Sequence, residues 1–136
     1  CLKEPEKVMT LIRSDRVNIR LGLLLSLARP IEEVMRRVAV GADFYLVTRP
    51  WRSPNLGRVA SEVRRLGGRT YVYLVVETHR NSRALVGVPH DERVRGHELT
   101  EAIRSLSGVV DGVVISSPGD KEALVESLRA ARAVTG

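Results

Sequence analysis

The 136-residue sequence is 43% hydrophobic, enough for one core, and its 22 basic and 16 acidic side chains leave a net charge of +6. A single cysteine excludes an internal disulfide, and no apolar run reaches membrane-spanning length, so a cytoplasmic protein without a membrane partner is expected. The positive charge is dispersed as Arg36-Arg37, Arg64-Arg65, Arg129 and Arg132, with no interleaved aromatics and no basic tail; it reads as solvated helix faces and argues against nucleic acid.

In chain order, Pro5 to Ser14 reads as a helix with Val8, Leu11 and Ile12 on one face. It is charged and lacks the apolar stretch of a secretion signal. Residue 1 is Cys rather than Met, so the native start is expected to lie elsewhere. Val17 to Leu27 is the first strand, apolar on both sides from Gly22 onward. Ile31, Val34, Met35 and Val38 recur at helical spacing after Pro30, which suits a helix start. Gly41 ends that helix in a left-handed conformation, and Asp43 to Val47 is the second strand. Leu56, Val59, Val63 and Leu66 mark the next helix, stopped by Gly67-Gly68. Thr70 to Val76, rich in β-branched and aromatic residues, is the third strand.

A polar loop runs from Glu77 to Gly96, with Ala84 to Val88 as a short extra strand within it. Leu99, Ala102, Ile103 and Leu106 form a helix that closes near Gly108. Val109 to Ser116 is the fourth strand. Asp120 caps the last helix, which turns Leu124, Leu128 and Ala131 inward. Strands apolar on both faces that alternate with helices give a parallel sheet. An open doubly wound sheet and a segment of a (β/α)8 barrel both fit this pattern. The barrel normally needs about 250 residues, and four βα units make half of one. The expected unit is therefore one α/β domain over residues 1–136, incomplete without an N-terminal half, a partner subunit or a second copy.

The stretches Pro5 to Arg13, Ile19 to Leu24, Val38 to Trp51 and Arg69 to Glu77 resemble the second half of a methylenetetrahydrofolate reductase barrel. Val40-Gly41-Ala42-Asp43-Phe44 carries the match most clearly, and Asp111 to Ser116 resembles the last barrel strand. The resemblance implies a flavin-dependent oxidoreductase, with FAD or another flavin passing hydride to a folate-type one-carbon carrier. It implies that Thr48 stands where the family has a pterin-contacting Gln, that Trp51 keeps the family's aromatic, and that Arg37 lies near the flavin phosphates. The family's Tyr-Pro…His-Pro-Glu loop is shortened here to Ser26–Pro30. The acidic residues of its early strands belong to the other half.

Ligand sites of parallel α/β folds lie at the carboxyl ends of strands. Those ends nominate Ser26 and Arg29, then Thr48, Arg49, Trp51 and Arg52, then Glu77, His79 and Arg80, and finally Ser116 and Ser117. Arg49 and Arg52 suit an anionic ligand or loop salt bridges alike. Trp51 suits stacking on a flavin or pterin, or packing at a rim or interface. Ser116 and Ser117 precede a helix amino end that can take a phosphate, although Asp120 competes for it. His79 is the candidate proton donor, with Glu77 beside it as a second catalytic candidate. Glu77, His79, His90, Asp91, His97 and Glu98 fit no compact metal-ligand spacing, so no metal is expected. Scarce Asn, absent Gln and abundant charge suit a hot environment. Three function classes follow: the flavin reductase, a non-catalytic half-barrel subunit assembling with a catalytic partner, and a barrel enzyme acting on a phosphorylated metabolite.

Overall fold

A computed structural model describes residue 7 and residues 18–135. The helix expected at Pro5–Ser14 lies outside the described residues, apart from Lys7. In order the elements are β1 (Gly22–Ser26), α1 (Ile31–Ala39), β2 (Phe44–Arg49), α2 (Leu56–Arg65), β3 (Arg69–Glu77), β4 (Arg93–Arg95), α3 (Leu99–Leu106), β5 (Gly112–Ser116) and α4 (Lys121–Thr135). β1 pairs with β2, β2 with β3, and β3 with β5, all parallel. With the short inserted β4 set aside, sequence neighbours are sheet neighbours, which is the order of a barrel wall. A doubly wound sheet would reverse it at a switch point.

The pleat sorts the side chains. Leu25, Tyr45, Val47, Val72, Leu74 and Val76 alternate onto one face and are buried with the helices. Val34 and Val38 of α1, Val59 and Val63 of α2, and Leu99 and Ile103 of α3 meet them there. The other face is apolar but open among the described residues: Leu24 is 62% exposed, Phe44 36% and Val114 41%. The expectation that strands are buried on both faces therefore holds for one face of this chain. The open face has the composition of a barrel interior.

Its lowest layer alternates glycine with aromatic. Gly22 faces Phe44 and Gly112 faces Tyr71. A Cβ on Gly22 would lie 2.2 Å from the Phe44 ring, and one on Gly112 would lie 2.8 Å from the Tyr71 ring. The two rings meet edge to face at 6.2 Å between centroids. Each glycine makes room for the ring opposite it.

Two aspartates fix the register at the amino ends. The Asp43 amide donates to the Leu21 carbonyl (2.8 Å), and its carboxylate accepts the Leu21 amide (2.7 Å). Asp111 repeats this with Thr70, at 2.8 Å for both bonds. Each Asp thereby holds both backbone groups of a residue at the start of the neighbouring strand in the sheet. Between α1 and β2 the Tyr45 hydroxyl accepts the Ala42 amide (2.9 Å) and donates to the Val38 carbonyl (2.8 Å), closing the helix end. Gly41, Gly67 and Gly108 take positive φ where α1, α2 and α3 end, as the sequence requires.

Two expectations are corrected. Ala84–Val88 is not a strand: Ser82–Leu85 is a 3₁₀ turn, and the inserted strand is β4. The Leu85 and Val88 carbonyls are taken instead by the Arg93 guanidinium, at 2.6 and 2.9 Å. On α4 the buried stripe is Ala123, Ser127 and Ala131, while Leu128 is 49% exposed. Small side chains four residues apart let α4 approach the sheet and α3 closely, and this turns Leu128 to the margin.

Candidate functional site

Parallel strands put their carboxyl ends on one rim, and the segment between β3 and α3 builds most of what stands there. β5 pairs with Tyr71 to Val75 of β3, and β4 pairs with Val75 to Glu77. Val75 belongs to both pairings, so β4 lies on the edge of β3 opposite β5, the edge that β2 leaves after Val72. Arg93 secures this exchange. Its guanidinium is buried and donates to Glu77 Oε2 at 2.6 Å as well as to the two loop carbonyls. Three bonds in one plane use the guanidinium fork, which an ammonium could not reproduce.

A second clasp ties β3 to α4. The buried Asn81 side chain accepts the Thr78 amide (2.7 Å) and donates to the Val76 carbonyl (2.9 Å) and to Ser117 Oγ (3.1 Å). Asp120 caps α4 as expected, accepting the Ala123 amide at 3.0 Å. It also accepts the Thr78 hydroxyl and Arg80 Nε, each at 2.8 Å. The Ala123 amide, with Thr78 and Arg80, holds the Asp120 carboxyl below its ordinary value. Arg80 bonds Glu122 too, which keeps its guanidinium firmly charged.

The expected site residues separate into three groups. Glu77, His79, Thr48, Arg49, Trp51, Ser116 and Ser117 all stand at the rim. Arg37 stands apart from them: it is in the last turn of α1, its carbonyl bonded by Tyr45, and it lines a separate small cleft with Ser26 and Arg29 on the outer side of β1. Several rim residues are engaged. Thr48 Oγ1 donates to the Leu25 carbonyl (3.2 Å), Arg49 pairs with Glu92 (3.1 Å), and Arg52 reaches the Asp91 carbonyl and Glu98. Ser117 is buried against Val76 and Asn81. The amino end of α4, the expected phosphate position, holds the Asp120 carboxylate.

Trp51 is 8% exposed and packs into the core, with the Arg52 guanidinium 4.4 Å above its ring. Its Nε1 is buried without a hydrogen-bond partner among the described residues. Thr48, Trp51, Tyr73 and Val75 with Val88 and Pro89 enclose a cavity of about 120 Å³. The segment after the 3₁₀ turn thus lies over the carboxyl end of the open face. A larger, open groove of about 440 Å³ lies beside it, walled by Glu77, Thr78, His79, Ser82, Arg95 and His97. It contains both catalytic candidates. No His, Cys, Asp and Glu group suited to a metal occurs among the described residues.

Arg93, Arg95, Asn81 and Glu92 were not anticipated from the sequence. Their one local signal is the charged–apolar–charged alternation of Arg93-Val94-Arg95, which is short even for a strand. No helix among the described residues is long and apolar enough to cross a membrane. No protein-family model matches this sequence, and no curated protein matches it significantly. Fold and rim geometry are thus what define the protein: a parallel α/β half-barrel with a polar mouth.

Proposed function

We propose that this chain supplies one half of the mouth of a (β/α)8-type barrel in the cytoplasm and binds a small organic ligand there. The observation that carries this reading is the pairing of an open apolar face with a polar rim on the same sheet. Leu24, Phe44 and Val114 are exposed on that face, while Thr48, Glu77, His79 and Ser116 stand at the strand ends. Four further βα units, from a longer chain, a partner subunit or a second copy, would cover the face and close the wall.

The resemblance to methylenetetrahydrofolate reductase gives this reading its specific form, a flavin-dependent oxidoreductase acting on a folate-type carrier. Trp51, Tyr73 and the apolar floor are suitable neighbours for a planar ring. The fit is incomplete on this half alone. The cavity at Trp51 measures about 120 Å³, below the roughly 300 Å³ at which small-molecule sites begin. Arg37 lines a separate cleft, and Arg49 and Ser117 are bonded within the protein. No hydride step is therefore assigned to these residues.

Sedimentation and flavin titration of the purified chain test the proposal together. Trp51 is the sole tryptophan, so FAD binding at the mouth should quench its emission along a saturating curve. The particle should be larger than one chain, with little affinity for hydrophobic dyes. Assembly without quenching would favour the non-catalytic half-barrel subunit. A dye-silent monomer that ignores flavin would refute both readings.

A further inference from the structure

The groove between the Thr78–Ser82 segment and the turn after β4 has a feature the half-barrel reading does not use. Arg95 lies directly opposite Glu77 in the strand register. The Glu77 carboxylate nevertheless bonds Arg93, two residues earlier on the same face of β4. One carboxylate is thus matched by one buried guanidinium, and Arg95 has no carboxylate or carbonyl partner among the described residues. Three other arginines at the strand ends are occupied: Arg49 by Glu92, Arg52 by Glu98, and Arg80 by Asp120 and Glu122.

The uncommitted guanidinium does not face open water alone. It shares a groove of about 440 Å³ with the His79 and His97 imidazoles and the Ser82 hydroxyl. His79 and Ser82 have no side-chain partner among the described residues, and His97 touches only Glu98, at 3.7 Å. Arginine offers a planar fork of donors, imidazoles add N–H donors, and a hydroxyl completes a tetrahedral set. Such a set matches an oxyanion with several acceptor atoms. It does not match a metal, which would require ligand carboxylates or deprotonated groups in place of the guanidinium. Glu77 forms one wall, its carboxylate held in an ion pair by the buried Arg93 behind it.

We propose that this groove is an anion site for the phosphate or carboxylate head of a small molecule, with Arg95 as its principal ligand and His79, His97 and Ser82 as supporting donors. The site goes beyond the flavin reading and stands or falls separately from it. It also relocates the phosphate expected at Ser116–Ser117 to the next rim position, where the groove's own carboxylate, Glu77, is bonded to Arg93 and not to Arg95.

The sequence contains three histidines, and His90 does not line the groove. Proton NMR of the imidazole Cε1–H signals, assigned with His→Gln variants, therefore carries an internal control. Inorganic phosphate is titrated into the full chain at about pH 6.5, near the ordinary histidine pKa, with ionic strength held constant by sodium chloride. The His79 and His97 signals should move along one saturating curve while His90 stays in place. Arg95→Ala, an exposed substitution, should raise the half-saturating concentration at least tenfold without changing the thermal melt. Arg95→Lys should recover part of the affinity. The three signals drifting together without saturation would overturn the proposal, as would an Arg95→Ala curve that superimposes on the wild type. Flavin fluorescence plays no part in this measurement, so a failed flavin titration leaves it intact.

Discussion

Replacing Arg93 with Met should destabilise the protein more than any other single change at the rim. The substitution removes a cation that is 5% exposed from a carboxylate that is 16% exposed, and it releases bonds of 2.6, 2.6 and 2.9 Å. Breaking a buried ion pair from one side costs about 3–5 kcal/mol, because the remaining charge stays desolvated. The Leu85 and Val88 carbonyls belong to a surface segment and regain water if that segment lifts, so the lower end applies, about 3 kcal/mol. For a chain of this size that corresponds to a fall of roughly 12 °C in Tm.

Urea unfolding and calorimetry measure the loss directly. Limited trypsin digestion adds a local readout, since cleavage at the exposed Arg83 should accelerate as its segment loosens. Arg93→Lys should lose about half as much, keeping the charge without the fork. Combining Arg93→Met with Glu77→Leu should restore about 2 kcal/mol of the single-mutant loss, because an apolar pair replaces the pair of charges. An Arg93→Met protein within about 1 kcal/mol of wild type would refute this account, as would a double variant no better than the single one.

The remaining predictions concern the scaffold and its pH response. Tyr45→Phe removes a buried hydroxyl that both accepts and donates; chemical denaturation should show a loss of about 1–2 kcal/mol. Asp111→Ala should cost about as much, while Asp111→Asn, which keeps an acceptor for the Thr70 amide, should cost clearly less in the same assay. Gly22→Ala drives a methyl into the Phe44 ring and should lower Tm; the double variant Gly22→Ala/Phe44→Leu should regain part of the loss. The Asp120 carboxyl titrates below its unfolded value, so the stability it adds is present above pH about 4. That stability disappears as the pH falls through the folded pKa. The gap in urea midpoint between wild type and Asp120→Asn should therefore be full at neutral pH and close in acid; a gap independent of pH would contradict the assignment.

The segment Val40 to Phe44, which carries most of the family resemblance, has a structural reason for its residues. Gly41 ends α1 at positive φ, Ala42 donates to Tyr45, and Asp43 holds both backbone groups of Leu21, one with its amide and one with its carboxylate. All of this lies at the amino ends of the strands. In barrel folds that end reads as stability and the opposite end as chemistry. Asp111 performs the same task with no Gly-Ala before it. A match concentrated here therefore identifies a way of building parallel βα units and says little about the reaction.

The sequence by itself determined the parallel βα alternation, the helix stops at Gly41, Gly67 and Gly108, and the Asp120 cap. These are local matters, settled by hydrophobic period, by glycine at positive φ and by an acceptor three residues before an amide. The tertiary structure alone decided which cations of the rim are committed. Arg49, Arg52, Arg80, Arg93 and Arg95 are alike as letters, and four of them find partners 16 to 46 residues away. Such pairing depends on which loop crosses which strand end, and no local pattern encodes that. The same applies to Glu77: its position at a strand end was legible, but its bond to Arg93 rather than to Arg95 opposite it depended on how β4 joins the sheet.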